Sequence, residues 1–146
     1  MKALWIVLIC ALATAAAIGI IGYLGLRSFD SSMCGVSVVR RIPSPDRRLE
    51  AVVFEGDCGA TTDFGTHVSL VRAGSQISNE TGNVLTADSD GGRASLDSGN
   101  VIHLSVVWIR SDSLVVRYDP RARIFRQKTR VHGVSVSYAT INDPGA

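Results

Sequence analysis

A small antiparallel sheet or sandwich, all-β and preceded by one N-terminal transmembrane helix, is the architecture this sequence predicts, and three observations predict it. An uncharged apolar run opens the chain, short β-branched runs separated by Gly, Ser, Asp and Asn fill the remainder, and no stretch beyond the first run has a helical period. Residues 1–28 are expected to form the membrane anchor, with the helix over 3–26. Residues 31–146 are expected to form one extracytoplasmic β domain, a length that suits one core and not two.

The anchor comes first. Ala3 to Leu26 is twenty-four residues without a charged side chain. As a helix it would reach roughly 36 Å, enough to cross a bilayer core of about 30 Å. Ala15, Ala16 and Ala17 also make a small-residue cleavage pattern behind Leu4–Leu12, but the apolar run continues past them to Leu26, so the expectation is an uncleaved anchor. Lys2 precedes the run, while Arg27 is soon followed by Asp30, which places the N-terminus in the cytoplasm and the rest outside. Ala11, Ala15 and Gly19 recur every four residues, the spacing at which small side chains let two helices approach, so a homodimer is one expected use of the anchor.

Eight strand-like runs follow: Val36–Ile42, Leu49–Glu55, His67–Arg72, Asn83–Ala87, Val101–Arg110, Leu114–Tyr118, Phe125–Val131 and Val134–Tyr138. Ser44-Pro45-Asp46-Arg47-Arg48 supplies a turn, since Pro presets one backbone angle and Asp can bond the backbone two residues on. Centred on Asp46, this hairpin pairs Ile42 with Glu50, Arg40 with Val52, Val38 with Phe54 and Cys34 with Cys58. Opposed Cβ atoms lie within about 5.5 Å, near disulfide reach, so in an oxidising compartment Cys34 and Cys58 should be joined. Closing a loop of about 24 residues would contribute on the order of 3 kcal/mol.

The second hairpin turns at Arg110-Ser111-Asp112-Ser113 and pairs Trp108 with Leu114, Val106 with Val116 and Leu104 with Tyr118, an apolar face that belongs to the core. Val101–Ile109 is apolar on both faces and reads as a strand in mid-sheet or covered on both sides. Between Arg126–Arg130 and Val134–Tyr138 the alternation changes phase, and Gly133 at that point predicts a β-bulge.

Ser44-Pro45-Asp46-Arg47-Arg48-Leu49-Glu50-Ala51-Val52-Val53-Phe54, continuing through Asp57-Cys58-Gly59-Ala60-Thr61-Thr62 to Val68-Ser69, resembles the signature of a group of uncharacterised small bacterial envelope proteins with an N-terminal membrane segment. The resemblance implies the bacterial inner membrane as location and carries no activity with it. The Ser-Pro-Asp turn also resembles propeller hairpins, but it occurs once, Arg47 stands where Gly is usual, and one copy cannot close a propeller.

Charge and motifs exclude more than they identify. Leaving out Lys2, fourteen basic residues face thirteen acids, a near-balance that argues against nucleic acid as partner. Asp57, Thr61, Thr62, Asp63 and His67 crowd a predicted inter-strand loop and form the first candidate binding site; their alternative use is to satisfy the loop's own backbone. Arg117, Arg121, Arg123, Arg126, Lys128 and Arg130 form a basic strip suited to anionic lipid or envelope polymer, or to an edge strand protected by charge. His67, His103 and His132 lack metal-ligand spacing, Asp88, Asp90 and Asp97 lack the closing Glu of a calcium loop, and no nucleophile motif is present. No cofactor is expected. The expected function is a membrane-tethered envelope binding or structural module without catalytic activity, with an envelope protein or anionic polymer as partner. The alternative is a hydrolase or metal-dependent enzyme around Asp57, Asp63 and His67.

Overall fold

The computed structural model of the protein describes residues 5, 12–23, 35–57, 64–77 and 82–141, and the chain divides into two compact units, Met1–Met33 and Cys34–Ala146. In the first unit residues 12–23 are helical. Leu12, Ile18, Ile20 and Ile21 are each at least 60% exposed, and at about 100° per residue they spread around the whole circumference instead of forming one stripe. Among the described residues no helix is long and apolar enough to cross a membrane; the expected span of 3–26 lies partly outside them.

The second unit is a β domain with nine strands among the described residues. A five-stranded sheet has the order β1 (Gly35–Pro43), β2 (Leu49–Asp57), β3 (Gly65–Arg72), β4 (Leu85–Asp88) and β7 (Arg123–Gln127), all antiparallel neighbours. A four-stranded sheet has the order β5 (Leu104–Arg110), β6 (Ser113–Tyr118), β9 (Val134–Thr140) and β8 (Arg130–Val131). The expected antiparallel arrangement has one exception, the parallel pairing of β6 with β9. Val53, Val68, Leu70, Leu85 and Ala87 from the first sheet and Leu104, Val106, Leu114, Val116, Val134 and Val136 from the second share one buried cluster. Alternation places these side chains on the inner face of each sheet, and their burial from water is what holds the sheets together. Polar links also cross the seam: Trp108 Nε1–H donates to Ile42 O (3.0 Å), Arg40 donates to Leu104 O (2.9 Å), Gln127 Nε2 donates to Tyr118 Oη (2.8 Å), and the Tyr138 hydroxyl donates to Lys128 O (2.7 Å) with Val84 O at 3.1 Å. Burial pushes that phenol up to about 12.

The first hairpin departs from its expected register near the turn. Ser44 N–H donates to Leu49 O and Arg47 N–H to Ser44 O, so four residues loop out and the centre falls between Asp46 and Arg47. Ile42 therefore faces Ala51, not Glu50, and Arg40 faces Val53, not Val52. Arg47 takes the left-handed conformation (φ 58°), the position where Gly is usual. Asp46 stabilises the loop by accepting from Ser44 Oγ (2.7 Å), from Arg48 N (3.3 Å) and from Arg48 Nε (2.7 Å), bonds that lower its carboxyl to about 2. A bulge at Val39 then shifts the ladder by one, so that Val38 faces Phe54 as expected and Gly35 faces Asp57. With it, Val39 and Ile42 both pack on the core, which strict alternation forbids for residues three apart.

Three further expectations are corrected. The β5 strand is an edge strand, and its outer side chains Val107 (39% exposed) and Ile109 (59%) face solvent. At Gly133 the chain does not bulge but reverses: His132 (φ 50°) and Gly133 (φ 81°) form a two-residue connection between β8 and β9, with the positive φ pair that a twisted hairpin favours. The run Phe125–Val131 is broken, because Lys128 N–H bonds to Val84 O beside the first sheet and Thr129 O accepts from Val136 N–H in the second. The β5–β6 register, by contrast, matches expectation pair for pair from Leu104–Tyr118 to Trp108–Leu114.

Candidate functional site

His67 is the one candidate of the Asp57–His67 group with a fully described environment, and it lies on the outer face of the five-stranded sheet between its partners Phe54 and Thr86. Its ring stacks on Phe54 (centroids 5.1 Å apart, 23° between planes). A Cβ at Gly56 or Gly65 would come within 2.7 or 2.8 Å of Nε2, so glycine at both positions is what lets the imidazole lie flat. Nδ1 accepts the Gly82 N–H (3.2 Å) and stands 3.4 Å from Thr86 Oγ1. With Nδ1 accepting a backbone proton, the neutral ring carries its own proton on Nε2. Burial, and secondarily the Arg126 guanidinium, hold the imidazole below its ordinary range. Arg126 itself donates to Gly82 O (3.3 Å). Packing and hydrogen bonds thus hold the His67 ring in place.

Asp57 and His67 do not converge. Phe54 faces His67, so Asp57, three residues along β2, projects to the other side of the sheet. Thr61, Thr62 and Asp63 lie outside the described residues, as do Cys34 and Cys58. The other histidines are apart: His103 Nδ1 is 2.7 Å from Asp97 Oδ1, and His132 sits in the β8–β9 turn. Among the described residues no group of His, Cys, Asp or Glu is arranged to hold a metal ion.

The basic strip is not one surface. Arg117 belongs to β6, Arg123 and Arg126 to β7, and Arg130 to β8, so its members divide between the two sheets. Arg121 clamps Asp119, donating from Nε (3.0 Å) and Nη2 (2.7 Å), and Asp119 also accepts the Ser95 N–H (2.9 Å). That clamp, together with the backbone bonds, holds the Asp119 carboxyl well below the usual carboxylate range. Arg123 grips Asp88 in the same two-pronged way and covers the Phe125 ring at 5.1 Å. Arg117 and Arg130 make no ion pair or side-chain hydrogen bond among the described residues. Since β7 and β8 are both sheet edges, their charges also blunt edge-to-edge pairing.

A concave feature lies elsewhere, where three hairpin turns meet. A cleft of about 570 Å³ opens between the β1–β2 turn (Asp46, Arg48), the β5–β6 turn (Ser111, Asp112) and the β8–β9 turn (His132, Gly133), with Arg72 at the end of β3 on its wall. Arg48 is paired with Asp46 (2.7 Å) and Arg110 with Asp112 (3.2 Å), whereas the Arg72 and His132 side chains make no such pairing among the described residues. The first two turns have their own signals in the sequence, but the third was expected as a bulge, and their convergence depends on the parallel β6–β9 pairing, which no local pattern announces.

The fold and cleft define a class: a two-sheet β domain with a loop-built polar cleft at one end. No family model, characterised protein or solved structure matches the chain.

Proposed function

We propose that this chain is a single-pass protein of the bacterial cytoplasmic membrane whose β domain stands outside the cytoplasm as a non-catalytic binding or structural module. The observation that carries the binding role is the cleft, where Arg72 at the end of β3 and His132 in the β8–β9 turn make no ion pair or side-chain hydrogen bond among the described residues. Its two guanidinium groups, two carboxylates and one imidazole suit a polar ligand of mixed charge, either an envelope component or an exposed segment of a partner protein. The tether is supported by the uncharged run Ala3–Leu26 and by apolar side chains exposed around the helix. The resemblance of the Ser44–Ser69 stretch supports the envelope location. Export is also supported by the ladder's end: Gly35 and Asp57 are partners, and next to them in sequence stand Cys34 and Cys58, which we assign as a disulfide. Ala15 and Gly19 share a helix face with nothing within 4 Å of a Cβ at Gly19, which favours helix pairing through the Ala11–Ala15–Gly19 stripe.

The test is a pull-down with the tagged full chain from detergent-solubilised membranes. A specific partner should be recovered by the natural chain and lost at least tenfold in Arg72→Glu/His132→Ala; equal recovery, or nothing specific, ends the reading. Thiol trapping checks the location: Cys34 and Cys58 should label only after reduction.

A further inference from the structure

The outer face of the four-stranded sheet carries three cross-strand rows: Ser113, Ser135 and Arg130; Val107, Val115 and Ser137; Ser105, Arg117 and Ala139. Alternation turns all of them away from the core residues Leu104, Val106, Leu114, Val116, Val134 and Val136. Val107 and Ile109 are exposed, as are Arg117, Arg130, Ser135, Ser137 and Ala139. No Asp or Glu occupies a position in these rows, and Asp112 at the rim is engaged by Arg110. Arg121 and Arg123 are neutralised by carboxylates of the fold, but Arg117 and Arg130 are not. An uncovered face with an apolar centre, hydroxyl groups and two uncompensated guanidinium groups is complementary to a layer in which phosphates lie just above hydrocarbon.

We propose that this face rests on anionic phospholipid headgroups, with Arg117 and Arg130 on the phosphates and Val107 and Ile109 entering the interfacial layer. The inference rests on the membrane tether proposed above and assigns a partner to a face which the cleft leaves unused. Each arginine near an anionic surface favours contact about fivefold, and the two together about thirtyfold, attraction that matters for a domain already held at the membrane.

The test places a photo-crosslinking amino acid at Ser137 of the full chain, with a control at Val38 on the outer face of the other sheet. The protein is reconstituted in vesicles of phosphatidylcholine alone or mixed with phosphatidylglycerol. Lipid adducts at Ser137 should exceed those at Val38 about tenfold in the anionic vesicles, and should fall about tenfold without phosphatidylglycerol or in Arg117→Glu/Arg130→Glu with an unchanged urea midpoint. Equal adducts in both vesicle types, or an undiminished double variant, overturns the inference. In native membranes, a protein adduct at Ser137 in place of lipid also overturns it but leaves the tethered binding module standing, and carbonate extraction of the chain overturns the tether beneath both.

Discussion

On the five-stranded sheet the outer face is buried where β2 and β3 run side by side, with Val52 at 0%, Phe54 at 1%, Ser69 at 6% and His67 at 9% exposure. On the four-stranded sheet the corresponding face is open, with Val107 at 39% and Ile109 at 59%. Both strands, β2 and β5, carry apolar side chains on two sides, yet only β2 is buried on both. Apolar character on both faces therefore states what a strand tolerates and not what lies over it. Where cover exists, a histidine has been drawn into the packing; where it does not, arginines stay uncompensated.

The sharpest way to break this comparison is at Gly82, whose added Cβ would lie 2.2 Å from Leu85 O and 2.8 Å from Val68 O, both immovable backbone. Gly82→Ala should cost at least about 4 kcal/mol by urea denaturation of the full chain in detergent. Phe54→Ala, which empties the buried outer face, should cost about 3–5 kcal/mol in the same measurement. Asp119→Ala, which takes the acceptor from the Ser95 and Arg121 backbone N–H groups, should cost about 2–4 kcal/mol. On the open face, Val107→Ala should change stability by no more than about 0.5 kcal/mol; a loss as large as that at Phe54 would mean the two faces are not different.

Acid should separate the sheets more gently. His67 is held neutral, its folded value depressed below 6.5, so its contribution is complete above about pH 6.5 and is lost as pH falls below that toward the folded value. Protonation would also set a second N–H against the Gly82 N–H. The urea midpoint should therefore decline from pH 7 to pH 5, and His67→Gln, though less stable throughout, should flatten that decline. Asp46 acts in a lower window: its contribution is present above 3.8 and is lost as pH falls through about 2.

Hairpin content was legible in the sequence wherever a turn signal met clean alternation. Arg110–Ser113 marked the β5–β6 register from Leu104–Tyr118 to Trp108–Leu114, though not the irregularity beside the turn, where Arg110 pairs with Ser113. The β1–β2 ladder was legible only beyond the bulge, because Val39 gives no sign that it must share a face with Ile42. His132-Gly133 lacks an Asn or Asp, so a reversal there looks like a slip of phase. Lys128 and Thr129 carry no turn residue at all, and the crossing from one sheet to the other is set by distant backbone groups, the Val84 carbonyl and the Val136 N–H. Of the candidate site, His67 was legible as a residue but not as a buried one, since the glycines that admit it stand on two strands. The cleft was illegible, because it is made of relations among turns.

The position of β9 carries one more lesson. It is the last strand in order, yet it sits inside its sheet, parallel to β6 on one side and paired with β8 on the other. Leu114 and Val116 therefore wait for Val134 and Val136 before their sheet can close, and a parallel pairing across that separation forms slowly. During synthesis the domain stays open, with its apolar inner faces available to chaperones or to aggregation, until β9 arrives. Truncation before Val134 should then yield an unfolded polypeptide instead of a smaller domain.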